Sequence, residues 1–183
     1  MTITIDLNGD GVQTTALGET QGTFDLNGDG RPVESGWLSA EDGFLVVDSN
    51  GNGVIDDISE MFGGEFGDGY AKLATFDTDG SGTVEADEIL QGGLFIWKDS
   101  NENHQTDADE LHKLVDFGIS SISTEFSTVS ENSNGNFILE RGFAINGSGD
   151  LIDVSGIYFE QSPGLGGSLV TENMQPAPAE FYT

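Results

Sequence analysis

Between residues 77 and 88 the chain reads D-T-D-G-S-G-T-V-E-A-D-E. Oxygen-bearing side chains recur on alternate positions: Asp77, Asp79 and Ser81 stand at one, three and five. Gly82 stands at six, where the chain must turn sharply and a Cβ would obstruct it. Thr83 at seven need offer only its carbonyl, and Glu85 at nine acts directly or through a water. Glu88 at twelve can give both carboxylate oxygens. This spacing gathers oxygens around one point, as suits a hard cation that takes about six to eight of them. The string meets the demands of a twelve-residue calcium loop of the EF-hand kind at almost every position. The competing reading is a surface Asp-Gly turn before an acidic helix start; Gly82 and Glu88, both in place, favour calcium.

Further strings repeat the pattern with departures. Asp6-Leu-Asn-Gly-Asp-Gly11 and Asp25-Leu-Asn-Gly-Asp-Gly30 are one hexapeptide used twice. Asp6, Asn8 and Asp10, and again Asp25, Asn27 and Asp29, fill positions one, three and five; Val12 and Arg31 would lend carbonyls at seven. Position twelve is Leu17 or Gly36, so each loop needs a carboxylate from elsewhere: Glu19, Glu34, Glu41 or Asp42, of which Asp42 joins the predicted set. Asn-Gly and Asp-Gly also favour tight hairpin turns, which is the alternative for both strings. A third string places Asp48, Asn50, Asn52, Val54 and Asp56 at one, three, five, seven and nine. Its glutamate, Glu60, comes one residue late at thirteen, and Ile58 to Phe62 are expected to start a short helix that aims it back. Two neutral Asn ligands lower the charge count and with it the affinity.

The last string places Asp99, Asn101, Asn103, Gln105, Asp107 and Glu110 at one, three, five, seven, nine and twelve. Its position six is His104, and a non-glycine residue with positive φ costs about 1 kcal/mol there. On that ground His104→Gly is expected to tighten the loop. His104 as a zinc ligand is the alternative, but no second His or Cys set surrounds it. His112 reads as a solvated side chain.

The elements that must hold these loops read as follows. Thr2 to Ile5 alternates like a strand, and Trp37-Leu38 and Phe44 to Val47 look like buried strands. Tyr70 to Phe76 is predicted as the helix entering the Asp77 loop, and Glu85 to Leu90 as the helix leaving it, ended by Gly92-Gly93. Asp107 to Phe117 is predicted as a further helix, with Leu111, Leu114, Val115 and Phe117 on its apolar side. Two tandem loops between apolar helices predict an EF-hand pair. Ile119 to Ser123 reads as a strand, and Asn136 to Asn146 with Asp150 to Phe159 as a hairpin split at Asn146-Gly-Ser-Gly149. The expected fold class is therefore α+β: small antiparallel strands and hairpins with an EF-hand-like helix-loop-helix pair, stabilised by several calcium ions. Residues 1–160 are expected to form one module and residues 161–183 a loose tail or linker.

Composition agrees. Five Lys and Arg face 33 Asp and Glu, for a formal charge of −28 over 183 residues. That excludes a nucleic-acid partner, which needs Lys and Arg for its phosphates. Self-repulsion on this scale opposes compaction unless cations neutralise it. Twelve Phe and two Trp supply a core that an acidic disordered chain would lack. With no cysteine, metal would take the place of disulfides in a secreted protein. No apolar run is long enough to span a membrane. The N-terminus shows no signal peptide, which permits a cytoplasmic protein, an excised domain, or export without an N-terminal signal. No Ser-His-Asp or Cys-His set is visible.

Several strings together resemble a known family. They are the two D-L-N-G-D-G repeats, G-W-L-S-A-E-D-G-F-L-V-V-D-S-N-G-N-G-V-I-D, E-M-F-G, F-I-W-K-D-S-N-E-N-H-Q-T-D-A-D-E-L, L-V-D-F-G-I-S-S-I and G-N-F-I-L-E-R-G-F-A-I-N-G-S-G-D. In order and spacing, from Ile3 to Phe159, they resemble the self-processing module of RTX proteins, of the FrpC type. The resemblance implies a bacterial toxin or adhesin module, secreted by the type I route or held at the cell surface, that folds when it meets calcium. It implies neighbouring domains of a larger protein as partners, with the module itself a monomer. Active members cut an Asp-Pro bond at the module's N-terminal edge and can join the freed aspartyl end to a lysine amine. Here the family's proline falls at Thr2 with Met1 before it, and Pro32, Pro163, Pro176 and Pro178 follow Arg31, Ser162, Gln175 and Ala177. No Asp-Pro bond exists in the chain. A structural calcium module is thus the first expectation, a calcium-triggered self-cleaving and ligating module the alternative. A cytosolic calcium sensor ranks third, because no Met-rich groove helix is evident.

Overall fold

The structure is a computed structural model that describes residues 1–163. Strand β1 (Thr2–Ile5) is buried along its whole length, and the other strands assemble around it. It pairs antiparallel with β4 (Gly43–Val47) on one side and β11 (Leu151–Tyr158) on the other. Beyond β4 lie β6 (Leu94–Trp97) and β7 (Leu111–Lys113). Beyond β11 lie β10 (Asn136–Asn146), β8 (Ile119–Ser123) and β5 (Thr83–Glu85), with β9 (Ser127–Ser133) also on β10. Two short strands, β2 (Thr14–Thr15) and β3 (Trp37–Leu38), pair separately.

The alternation of the strands sends side chains to two cores, one on each face of the sheet. Ile3, Ile5, Leu45 and Ile96 join one core with Tyr70, Leu73 and Ile89 from the helices. Phe44, Val46 and Trp97 join the other with Phe24, Trp37, Met61 and Phe159. The helices are α1 (Asp68–Ala74) and α2 (Ala86–Gly92), each seven residues long.

The expected α+β class with an EF-hand helix pair is overturned: the described residues form a mostly antiparallel β fold with two short helices. Only the Asp77 loop runs between helices. The chain entering the Asp99 loop is strand β6, and the chain leaving it is β7 followed by a 3-10 turn at Leu114–Phe117, not a helix over 107–117. Leu94-Phe-Ile-Trp97 is bulky and aromatic, which suits a pleated sheet. Its neighbour must then pair with it, and Phe95, Ile96 and Trp97 stand opposite Lys113, His112 and Leu111. The spacing of Leu111, Leu114, Val115 and Phe117 mimics a helix because a short strand and a 3-10 turn abut there. Strand β5, within the Asp77 loop, pairs with β8 rather than with the Asp99 loop. Residues 58–60 make a single 3-10 turn.

The predicted tail begins inside the fold: Gln161 bridges Ser35, and the Ser162 N–H donates to the Glu34 carbonyl at 2.9 Å. The rest of the predicted tail, from 164 onward, lies outside the described residues. Among the described residues no helix is long and apolar enough to cross a membrane.

Candidate metal centre

All five acidic loops fold into the same local knot. The carboxylate at position one accepts the backbone N–H at position six: Asp6 from Gly11 at 2.9 Å, Asp25 from Gly30 at 2.7 Å, Asp48 from Gly53 at 2.8 Å. Asp77 accepts from Gly82 and Asp99 from His104, each at 2.8 Å. The other oxygen of each carboxylate takes N–H groups from positions three to five, as Asp77 does from Gly80 and Ser81 at 2.8 and 3.0 Å. Positive φ at position six makes the turn possible; it is 89° at Gly82 and 63° at His104. Position-three oxygens accept the position-five N–H at Asn8, Asn50, Asp79 and Asn101. Position-five oxygens of Asp29, Asn52, Ser81 and Asn103 accept the N–H of Arg31, Val54, Thr83 and Gln105, which turns those residues' carbonyls with them.

The closing carboxylates share a second signature. Glu88 accepts the N–H of Thr78 at 2.6 Å and of Glu85 at 3.1 Å. Glu110 does the same for Ser100 and Asp107, each at 3.0 Å. Glu60, one residue late, still takes Ser49 at 2.9 Å and Asp56 at 3.0 Å. The first loop is closed from a distance: Asp42 accepts from Leu7 at 3.3 Å and Gln13 at 2.7 Å. Among the described residues no carboxylate closes the Asp25 loop in this way; its backbone is tied instead by the Ile58 N–H on the Asp25 carbonyl at 3.0 Å.

Asp77, Asp79 and Glu88 offer carboxylate oxygens that all lie within 4.8 Å of one another. In the Asp48 and Asp99 loops Asn amides point inward instead: Asn50 and Asn52 donate to Asp56, and Asn101 and Asn103 to Asp107, at 2.7–2.9 Å.

The electrostatics ask for a cation. Asp6, Asp25, Asp42, Glu60, Glu88, Asp99 and Glu110 are buried. The ion pairs among the described residues engage only Glu41, Glu131 and Asp153. A buried carboxylate without a counter-charge is costly even when hydrogen-bonded. Burial lifts the Asp42 carboxyl to about 6, aided by the charges of Asp6 and Asp10, against hydrogen bonds from Gln13 and Leu7. Burial likewise raises Asp99, against hydrogen bonds from His104, Trp37 and Asn103. The Thr78 hydroxyl and N–H hold Glu88 down at about 2, fully charged. The donors are all oxygen, which fits calcium and not zinc. No His-containing cluster forms among the described residues, so the zinc alternative at His104 finds no support.

Spacing did not reveal the long-range partners of the loops. The Trp37 indole N–H donates to Asp99 at 2.8 Å, joining a core residue to a loop carboxylate. The Ile55 N–H donates to the Thr106 hydroxyl at 3.0 Å, tying the Asp48 loop to the Asp99 loop. Both contacts cross more than 50 positions, and neither residue type marks them in the sequence. His112, expected to be solvated, is half-buried on β7 with its ring edge-on to Phe117.

The described residues form a curled antiparallel sheet with acidic Asx-type turns at its loops. Residues 3–160 match the SPM domain family, and the chain belongs to it. It is 37% identical over 150 residues to the iron-regulated protein FrpA of Neisseria meningitidis serogroup C. That match covers 76% of this chain and 14% of the relative, so the chain spans a small part of the relative's length.

Proposed function

We propose that this chain is a calcium-binding module of a large secreted bacterial RTX adhesin or toxin, and that it folds when it meets calcium outside the cell. The observation that carries the reading is the set of buried loop carboxylates without Lys or Arg partners among the described residues. Asp77, Asp79, Ser81, the Thr83 carbonyl, Glu85 and Glu88 would hold one ion, and the other loops would hold more with fewer charges. Calcium would supply the positive charge that a chain of net charge −28 lacks. Extracellular calcium modules bind at roughly 10⁻⁴–10⁻³ M, so export itself would trigger folding. The match to part of a much longer relative suits a module with neighbouring domains. The test is circular dichroism and thermal melting in chelator and in millimolar calcium, with ions counted by native mass spectrometry. A largely unfolded chain that becomes cooperative and takes up several ions is expected; identical spectra and melting in both would sink the reading.

A second reading is calcium-triggered self-processing at the module's N-terminal edge. What favours it is the setting of residues 1 and 2. Both are buried, and the Met1 carbonyl accepts the Gly64 N–H at 2.9 Å. The chain as it stands has no Asp-Pro bond and is expected to stay intact in calcium. An upstream segment ending in Asp at position 1, joined to Thr2→Pro, restores the bond that active members cut.

A further inference from the structure

Away from the loops, the start of β1 lies among buried polar atoms that have no partner. Thr2 Oγ1, Tyr70 Oη and Glu140 Oε2 make no hydrogen bond. Thr2 is 1% exposed, Tyr70 2% and Glu140 0%, so bulk water does not reach them. A buried polar group without a partner is destabilising. Glu140 and Tyr70 lie on the Ile3 face of the sheet, while Thr2, one residue along β1, faces the other side. Two unpartnered groups on one face beside the start of β1 call for an explanation.

The region is built, not left over. Strand β10 bulges between Ile138 and Glu140 against both of its neighbours β9 and β11. Bulges re-aim side chains. Glu140 then stands opposite Gly156 of β11, which stands opposite Ile3 of β1. A Cβ at Gly156 would collide with Glu140 Oε2, one at Gly142 with Tyr70 Oη, and one at Gly63 with the Met1 carbonyl oxygen. Three glycines thus clear room for three polar atoms. The Gly67 N–H fixes Glu140 Oε1 at 2.6 Å, leaving Oε2 free. Burial raises the Glu140 carboxyl above the usual range, against the Gly67 hydrogen bond and the positive chain end, and with the Asp68 charge. Burial and the Glu140 charge raise Tyr70 as well. Both groups therefore hold their protons readily.

We propose that Glu140, Tyr70 and the Gly64 N–H form a proton-donating pocket for the peptide bond between residues 1 and 2. This rests on the self-processing reading. In a chain with Asp at position 1, its side-chain carboxylate adds to its own carbonyl carbon, forming a C–O bond. The Gly64 N–H, already on that carbonyl oxygen, holds the oxyanion. Collapse breaks the C–N bond, and the Glu140 carboxyl gives its proton to the departing nitrogen of residue 2. The products are a cyclic anhydride on the released segment, a free residue 2, and the Glu140 carboxylate. Water opens the anhydride to Asp and returns the proton. The buried Tyr70 ring closes the same face of the sheet and keeps bulk water from it. Met1 leaves this chain with the pocket and without the nucleophile.

The test uses the full chain with a short segment ahead of it, Met1→Asp and Thr2→Pro, in saturating calcium. This parent is expected to release the segment. Glu140→Gln should slow release by about a hundredfold or more, with dichroism and calcium count unchanged, and should abolish the fall in rate at high pH. The other ionisable groups facing Glu140 are Asp68, Tyr70, Tyr158 and the residue-1 end. Tyr70→Phe, which keeps the buried ring, should leave that fall in place. If Glu140→Gln releases the segment at the parent's rate and pH profile, the pocket proposal is overturned while self-processing stands. If the folded, calcium-loaded parent releases nothing, both are overturned. Should Glu140→Gln not fold, the parent decides: a rate that stays flat while the Glu140 carboxyl is seen to ionise by ¹³C NMR overturns the proposal.

Discussion

The His104 imidazole lies parallel to the Trp37 indole, with ring centres 3.9 Å apart and planes at 14°. The Thr20 hydroxyl sits 2.7 Å from its Nε2. Position six of this loop does carry the positive φ that its place in the string demands, at 63°. The side chain, however, fills the core beneath the loop and is 1% exposed. His104→Gly would relieve about 1 kcal/mol of backbone strain and forfeit about 2–5 kcal/mol of buried packing. The net expectation is a less stable calcium-loaded protein, read from the urea midpoint in saturating calcium. A higher midpoint would show that strain outweighs packing, as the string alone suggests.

That pair shows where sequence reasoning stops. Strand positions were legible wherever alternation was strong: Ile119–Ser123 and Asn136–Asn146 form as read. The tight turns at the loop strings were legible too, because an Asx-type knot needs only local residues and each one closes on its own first carboxylate. The helix expected over 107–117 failed because pairing with β6 decides that segment, and the partner lies on the far side of the loop. Asp42 was one of several carboxylates within reach of the first loop, and only folding selects it. Glu140 gave no sign at all: its burial depends on a bulge and on glycines in other strands.

The Asp77 loop should bind calcium more tightly than the Asp99 loop. Asp79 supplies a charge at position three, where Asn101 supplies an amide that also donates to Asp107 at 2.8 Å. Asp77→Ala or Glu88→Ala should therefore cost roughly tenfold more affinity than Asp99→Ala or Glu110→Ala. Calorimetric titration of the four variants checks the order. Equal losses would mean that charge at position three does not set the ranking.

Glu60 should behave as a true closing residue despite standing at thirteen. Its two oxygens hold the N–H groups of Ser49, Asn50 and Asp56 at 2.9–3.3 Å. Glu60→Ala leaves those donors unpaired, at about 1–3 kcal/mol each if water stays out. Native mass spectrometry should then count one ion fewer, with the Asp77 loop still filled. A full complement of ions in the variant would mean that another group closes the loop.

Asp42 separates a preformed site from one made on binding. In the calcium-free fold its carboxyl sits at about 6, against an ordinary 3.8. Its contribution to that fold is fully present below 3.8 and is lost as pH rises through about 6. Acidifying a chelated sample from pH 7 to 5 should therefore increase its ordered fraction. Calcium, which takes the charged carboxylate, should bind less tightly over the same change. If the chain folds only with the ion, Asp42 starts near its unfolded value, and calcium binding at pH 6 releases few protons from it. Titrations in buffers of different ionisation enthalpy measure that release. A large release at pH 6 would show the first loop already folded before calcium arrives.

The cleared space around Glu140 makes a last, purely structural prediction. Gly156 has no strained φ to satisfy; its role is to stand where a Cβ would strike the Glu140 carboxyl. Gly156→Ala should push Glu140 off Oε2's present position and strain its bond to Gly67, costing about 1–3 kcal/mol as an overpacked core does. Glu140→Ala alone empties the space and strands the Gly67 N–H. In the double variant the two losses should not add, since the alanine methyl at 156 then enters room that Glu140 has vacated. Urea midpoints of the four proteins in saturating calcium form the cycle. Additive losses would mean that Gly156 and Glu140 do not share this space, and the case for a built pocket at the start of β1 would lose one of its walls.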